Sequence, residues 1–267
     1  MEFVTAKELF MKEHESQLLS TGLPRLDALL DGGFAPGTFN EIVGLSGVGK
    51  TQFCMQLAVN VQRHERNNEC VYVDTEGGFS TKRVCDMTNR CILHESESND
   101  TYLRRIHHAR CHDAVQLTST LHRLPNFITN NQNVRFSFIA IDIQIGLVIV
   151  DSVAMPIRGE SEQLRQTIVD YSRILAKIAI EYRCVVVVVN HVAIRFRSEH
   201  SGYESSYLAS ALGTSWCHYP TIRLWLCPAE DVPSSQRSVH VTKNPFGAIG
   251  SVSYRIVEGG LEEVQDD

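Results

Sequence analysis

Lysine is scarce in this chain. Of 25 basic residues six are lysines and 19 are arginines, so a lysine inside a motif carries information. Positive charge is itself in deficit: 31 acidic residues give a formal net charge of −6. That excludes a protein that coats nucleic acid by bulk charge alone. Long hydrophobic runs are missing. The longest apolar stretch, Phe136–Val150, is broken by Asp142 and Gln144, and is too short and too polar to span a membrane. The N-terminal stretch MEFVTAKELFMKEHES has no apolar h-region, so no secretory signal is expected. The eight cysteines form no C-x-x-C pair, and no histidine stands at metal-ligand spacing from them. They read as small hydrophobes in a reducing compartment rather than as a disulfide or zinc framework. Low-complexity tracts and internal repeats are lacking too. These absences leave a soluble intracellular globular protein as the expectation, with no membrane partner.

What is present is ordinary in amount and specific in order. At 267 residues and 43% hydrophobic, the chain fits one domain plus a short arm. Residues 1–20 read as a polar, helix-prone arm and 21–267 as the core. The run LPRLDALLDGGF places Leu26, Leu29 and Leu30 at helical spacing, and Gly32 and Gly33 end it. Strands and helices then alternate. Strands are expected at 40–43, 70–74, 103–110, 147–151 and 185–190, and helices at 50–64, 81–94, 114–130 and 163–182. Fully apolar strands alternating with helices predict a mainly parallel sheet covered on both faces. The segments 221–227, 238–243 and 251–257 read as strands joined by turns, a C-terminal antiparallel extension.

One segment carries specific chemistry. Gly44-Leu45-Ser46-Gly47-Val48-Gly49-Lys50-Thr51 fits G-x-x-x-x-G-K-[ST] between a strand and a helix, the context a phosphate-binding P-loop requires. The glycines let backbone N–H groups converge on phosphate oxygens, and the helix N-terminus adds positive charge. Lys50 is expected on the β- and γ-phosphates and Thr51 on Mg²⁺. A second metal-linked carboxylate must end a neighbouring strand. Asp142 and Asp151 both follow apolar runs, and Asp151 is preferred because Asp151-Ser152-Val153-Ala154 turns at once into a polar loop. Glu76, at the tip of the strand ending in Asp74-Thr75-Glu76-Gly77-Gly78, is positioned to orient a water. Asn190 and His191 end another strand and are candidates to report nucleotide state. The segment from Arg195-Phe196-Arg197-Ser198 to Tyr203-Glu204-Ser205-Ser206-Tyr207 mixes arginine with aromatics, a composition suited to a single-strand-binding loop.

With these motifs quoted, the chain resembles the RecA-like recombinases over about residues 3–258. Ser20–Gly33 matches S-T-G-x-x-x-L-D-x-L-L-x-G-G, Glu41–Gln52 matches E-I-V-G-x-S-G-V-G-K-T-Q, and Val73–Phe79 matches V-D-T-E-G-x-F. The runs Leu147–Ser152, Val187–Asn190 and Leu212–Leu224 match as well. Within the family, segments 54–59, 105–113 and 213–218 look most like the C-type paralogue of the eukaryotic strand-exchange recombinase. The resemblance implies an α/β fold, a RecA-like P-loop NTPase core. It implies ATP and Mg²⁺ as cofactors, with Gln52 beside the nucleotide and Arg83 stacked on the adenine. It implies DNA contacts by Arg158, Arg195 and Arg197. It implies a docking arm whose Phe3 and Ala6 enter a neighbouring subunit, and a capping segment, Lys243-Asn244-Pro245, over a neighbour's nucleotide.

The expected function follows: a DNA-dependent ATPase paralogue in homologous recombination repair and meiosis. It would act in the nucleus with sister recombinase paralogues in a hetero-oligomer, the main strand-exchange recombinase and single-stranded DNA. The alternatives are a nucleotide-binding scaffold with little hydrolysis and a self-sufficient strand-exchange enzyme. Three departures bear on them. The family usually has glutamine where His191 stands, an N-terminal helical DNA-binding domain is not recognised, and Phe136–Gly146 looks inserted. No basic import signal is visible at the C-terminus; Val257–Asp267 holds five acids and no basic residue.

Overall fold

A computed structural model describes residues 5–8, 17–64, 68–89, 98–132, 144–154, 162–198, 204–228 and 236–264. Among the described residues, ten strands form one continuous hydrogen-bonded assembly. They are β1 (Phe39–Gly44), β2 (Asn68–Asp74), β3 (Ile106–Arg110), β4 (Gln144–Asp151), β5 (Val185–Ser198), β6 (Glu204–Ser210), β7 (Ile222–Pro228), β8 (Gln236–Lys243), β9 (Gly250–Val257) and β10 (Gly260–Glu263). The helices are α1 (Pro24–Leu29), α2 (Lys50–His64), α3 (Thr81–Asn89), α4 (Asn99–Arg104), α5 (Ala114–Gln132), α6 (Glu162–Tyr182) and the short α7 (Gly213–Trp216).

The sheet order is β10-β9-β8-β7-β1-β5-β4-β2-β3. From β7 to β3 every neighbouring pair is parallel, and from β7 to β10 every pair is antiparallel. This is the expected RecA-like α/β core with its antiparallel extension. The core divides by the two-residue period of the strands. Leu147, Ile149, Val185, Val187 and Val189 face one cluster, covered by Phe53, Leu57, Ala58 and Val61 of α2. Val148, Val150, Val186 and Val188 face the other, covered by Leu117, Leu121 and Ile128 of α5 and by Tyr171, Leu175 and Ile178 of α6. Each buried Val, Leu, Ile or Phe among them stabilises the fold by roughly 1.5–3 kcal/mol through removal from water.

Local chemistry sets the boundaries. Asp27 accepts from the Ser20 hydroxyl at 2.6 Å and from the Thr21 backbone N–H and hydroxyl at 2.8 and 2.7 Å. The S-T-G-x-x-x-L-D motif is thus a closed turn leading into α1. Leu19, within the arm of the sequence reading, is already buried and bridges Phe34 through backbone hydrogen bonds of 2.8 and 2.9 Å. Further out, Thr5 and Glu8 cap each other reciprocally, at 2.7 Å and 3.2 Å, a capping box that starts a helical turn with Ala6 exposed on it. Phe3 lies outside the described residues.

Two expectations are corrected. The strand read at 103–110 begins only at Ile106, because Leu103 and Arg104 belong to α4. Ser98 caps that helix by accepting the Thr101 N–H, and the Asp100–Arg104 pair reinforces it one turn on. The loop read after Asn190 is instead strand for most of its length. β5 continues to Ser198 and pairs antiparallel with β6, from Val192 with Ser210 to Ser198 with Glu204. The alternation of Ile194 and Phe196 with Arg195 and Arg197 is the two-residue period of such an arm.

Of the stretch that looked inserted, 136–143 and with it Asp142 lie outside the described residues. The rest joins β4 without a break. Asn68 pairs Gln144, Glu69 pairs Ile145, and Cys70 pairs Leu147, so Gly146 is a bulge. A Cβ there would sit 3.0 Å from both Asn68 and Val61 side chains. The strand therefore delivers Asp151 in register opposite Asp74.

Candidate functional site

The carboxyl ends of β1, β4 and β2 lie around His191 in the middle of β5, and a cavity of about 420 Å³ opens there. It is lined by Ser46, Gly47, Gly49, Lys50, Thr51 and Gln52 of the Gly-rich loop, with Glu76, Asp151, His191, Arg237 and Ile256. Ligands of open α/β sheets bind at this kind of strand-end crevice.

The loop is shaped by its glycines. Gly47 and Gly49 have φ of 77° and 104°, where a side chain is strained. Gly44 is tight for another reason: a Cβ there would lie 2.6 Å from the Leu226 carbonyl. Gly44 and the buried Val48 are thus framework positions, and Leu45 is partly exposed beside them; none of the three lines the cavity. Tyr254 of β9 donates to the Val48 carbonyl at 3.2 Å, and Ile256 lies over Gly49. The C-terminal strands therefore wall the loop.

Lys50 opens α2 and is buried, its ammonium donating to the Gly44 and Leu45 carbonyls at 2.9 and 2.8 Å. Burial lowers its pKa, and Glu76 and Asp151 pull the other way. The two expected metal ligands meet: Thr51 is hydrogen-bonded to the Asp151 carboxylate. Tyr72 donates to Asp151 Oδ2 at 2.8 Å. Asp151 is 2% exposed, and burial pushes its carboxyl up against those two hydrogen bonds. Thr75 locks the adjoining turns, donating to the Ser152 carbonyl and accepting the Ser152 N–H, each at 2.8 Å.

Glu76 stands on a turn built by Asp74, which accepts the N–H groups of Glu76, Gly77 and Phe79 at 3.0, 2.6 and 3.3 Å and pairs with Arg110 at 3.0 Å. His191 Nε2 lies 2.5 Å from Glu76 Oε1. That hydrogen bond, ahead of Ser152 and Lys50 and against the cost of burial, holds the Glu76 carboxyl down at about 2. His191 is not at a strand end, since β5 carries it straight into the hairpin.

The remaining sequence candidates divide between the cavity and other parts of the molecule. Gln52 lines the cavity and accepts from Arg83 Nε at 2.6 Å. Arg83 itself is spent on the C-terminal sheet, donating to the carbonyls of Val257, at 2.6 Å, and Glu258. Lys243 turns inward, its ammonium donating to the carbonyls of Cys217, His218 and Pro220 at 3.1, 3.1 and 2.5 Å, while Pro245 is exposed. Arg195 and Arg197 lie on the β5 arm of the hairpin, well away in sequence from the loop. Arg158 lies outside the described residues. Sequence reasoning missed Tyr72, Tyr254, Ile256 and Arg237. Tyr72, one residue from a matched motif, was the readable one; the other three lie on β8 and β9, whose antiparallel pairing was expected but whose approach to the Gly-rich loop no local pattern encodes.

The donor set fits a Mg²⁺-nucleotide. Two oxygen ligands touch each other, an ammonium lies beside the loop, and the loop glycines leave backbone N–H groups at a helix start. Among the described residues no cluster of three or more His, Cys, Asp or Glu is able to hold a metal ion by itself, and no helix is long and apolar enough to cross a membrane.

A parallel sheet with a Gly-rich loop between its central strand and a helix, an Asp at the end of β4, one strand beyond the neighbouring β5, and an antiparallel extension defines a RecA-like P-loop protein. Comparison with known families narrows this. Residues 12–264 match the Rad51 family, and the chain belongs to it. It is 30% identical over 286 residues to DNA repair protein RAD51 homolog 3 of Cricetulus griseus, covering 97% of this chain and 72% of that protein. It is 28% identical to RAD51 homolog 2 of Arabidopsis thaliana, covering 98% and 75%. It is 31% identical to RAD51 homolog 4 of Mus musculus, covering 85% and 67%. The chain is thus similar to several Rad51 paralogues, each a DNA repair protein by name.

Proposed function

We propose that this chain is a DNA-dependent ATPase paralogue, of the C type, acting in homologous recombination repair of double-strand breaks and in meiosis. One observation carries the reading: a single cavity gathers Lys50, Thr51, Asp151, Glu76 and His191. Sister paralogues in a hetero-oligomer, the main recombinase and single-stranded DNA are its proposed partners, and the nucleus its place of action. The docking arm, residues 1–20 with Phe3 and Ala6, is proposed to join subunits, and Pro245 to face a neighbour. Arg158, Arg195 and Arg197 are proposed DNA contacts.

ATP is the substrate. The loop N–H groups and Lys50 bind its phosphates; the Gly44 and Leu45 carbonyls take two of the three ammonium protons. Thr51 and Asp151 would hold Mg²⁺, which neutralises charge on the transferred phosphoryl group. Glu76 is ionised at neutral pH and accepts a proton from the attacking water. His191 occupies one of its oxygens, so the water must displace that imidazole or use the remaining oxygen.

That contact also favours a second reading, a nucleotide-binding scaffold that hydrolyses slowly. A carboxylate held at about 2 is a weak base. Phosphate release by the purified protein, with and without single-stranded DNA and a sister paralogue, separates the two. DNA-stimulated turnover that falls at least tenfold in Glu76→Gln supports the ATPase. Turnover unaffected by DNA, partner and Glu76→Gln alike leaves the scaffold.

A further inference from the structure

Glu41 sits on β1, three residues before the strand enters the phosphate loop at Gly44. Its side chain is fully buried. Buried carboxylates persist only when paired and hydrogen-bonded, and Arg223 of β7 supplies the pair, its Nε donating to Oε2 at 2.6 Å. The other oxygen is bound twice more. Asn190 Nδ2 of β5 and Trp216 Nε1 of α7 each donate to Oε1 at 2.7 Å. One acid therefore gathers three further elements onto the P-loop strand.

Asn190 extends the network in two directions. Its Nδ2 also donates to the Ser210 hydroxyl at 2.6 Å, at the foot of β6, and its Oδ1 accepts the His191 N–H at 2.8 Å. The Ala211 N–H closes the hairpin foot by donating to the His191 carbonyl at 2.8 Å. His191 in turn meets Glu76 in the cavity. Asn190 and Ser210 are both buried, 0% and 5% exposed, so water is not available to replace these bonds, and each lost partner leaves a desolvated polar group. A shift of His191 in the cavity is then felt at Asn190, and through it at Ser210. Glu41 is the point at which this chain of bonds joins β1.

We infer that Glu41 is a positioning residue that couples the cavity to the β5–β6 hairpin, by tying Asn190 and Ser210 to the strand that enters the phosphate loop. The inference rests on the reading of the cavity as a nucleotide site. A merely structural ion pair would affect stability and leave the response of the hairpin to nucleotide intact.

Amide hydrogen exchange on the full chain, with and without Mg²⁺ and a non-hydrolysable ATP analogue, tests it. In the wild type, nucleotide slows exchange both across residues 44–52 and across the hairpin, 192–210, by at least fivefold. Ser210→Ala, which leaves the buried Glu41–Arg223 pair whole, keeps the protection at 44–52 and loses it in the hairpin. Glu41→Gln, where it folds, does the same. Hairpin protection equal to wild type in Ser210→Ala overturns the coupling, as does a wild-type hairpin that ignores nucleotide while 44–52 responds. Absence of any change at 44–52 in the wild type overturns the nucleotide reading itself, and the coupling with it.

Discussion

His191 Nε2 and Glu76 Oε1 are 2.5 Å apart, joining a strand that carries the hairpin to the turn that carries the proposed water-orienting acid. The contact gives a single residue two opposing effects. It keeps Glu76 ionised, and it takes up one of the two oxygens with which Glu76 would bind water. The hydrogen bond from His191 is the largest cause of the low pKa, so the pair has a pH signature. Glu76 sits near 2 in the fold against an ordinary 4.5. A depressed folded-state pKa contributes stability that is present above the unfolded value and lost as pH falls toward the folded one. Melting of the wild type and of Glu76→Gln, followed from pH 6 to pH 2.5, should therefore converge below about pH 4.5. In His191→Ala the Glu76 pKa should rise toward its ordinary value, moving the acid limb of turnover upward in pH. A constant gap between the melting curves would contradict the assignment.

Lys50→Ala should abolish ATP binding. The ammonium is held by the Gly44 and Leu45 carbonyls, so its loss leaves a loop that folds but lacks its phosphate cation. Burial lowers its pKa while Glu76 and Asp151 raise it, and a shorter neutral side chain cannot restore that balance. Equilibrium titration with a fluorescent ATP analogue should show at least a hundredfold weaker binding. Affinity unaltered by the substitution would refute the P-loop reading.

Tyr72→Phe should raise the Mg²⁺ concentration needed for tight nucleotide binding several-fold. Tyr72 donates to the buried Asp151 at 2.8 Å, and Thr51 donates beside it. Removing the hydroxyl lets the carboxylate rotate and costs about 1–3 kcal/mol of satisfied hydrogen bonding. Mg²⁺ titrations of nucleotide fluorescence read this directly, and binding without Mg²⁺ should be unchanged. Equal loss with and without Mg²⁺ would indicate a packing defect instead.

Much of this was legible in the sequence, for a physical reason. Lys50, Thr51, Asp151 and Glu76 sit at the ends of apolar strands or at a glycine-marked helix start, so local pattern and convergent topology coincide. That the central strands run parallel follows from strand–helix alternation; their order, β7-β1-β5-β4-β2-β3, is set by crossovers that no local pattern announces. What escaped the sequence depends on pairing between distant segments. Arg195 and Arg197 read as loop residues because 204–210 had no visible reason to pair with 192–198, yet that pairing makes them strand. Arg83 matched a stacking arginine by spacing, but its guanidinium is drawn to the Val257 and Glu258 carbonyls, 174 and 175 residues away. Lys243 read as a capping residue is likewise recruited by the open carbonyls after α7. Glu41 lay within a matched motif and passed unnoticed, because nothing local announces that Arg223, Asn190 and Trp216 converge on it.

Gly44→Ala should cripple the protein although Gly44 does not line the cavity. The motif demands glycine here, and the fold has a reason of its own for it. The reason lies behind the loop. A Cβ would stand 2.6 Å from the Leu226 carbonyl oxygen and 2.9 Å from Val48 Cγ1. The first is backbone of a paired strand, with Gly44 in register with Leu226, and cannot yield as a flexible side chain does. Such overpacking costs about 1–3 kcal/mol, and for a chain of this size each kcal/mol lowers the melting point by roughly 2–4 °C. Relief requires β1 to move away from β7, which also moves the Gly44 carbonyl that Lys50 holds at 2.9 Å. Thermal melting should therefore fall by several degrees, and nucleotide affinity with it. Val48→Ala is the informative partner. It clears the softer contact and leaves the carbonyl clash, so a double variant no more stable than Gly44→Ala would place the defect at Leu226. Recovery of wild-type melting in the double variant would place it at Val48 and show that the strand pair is not what requires glycine.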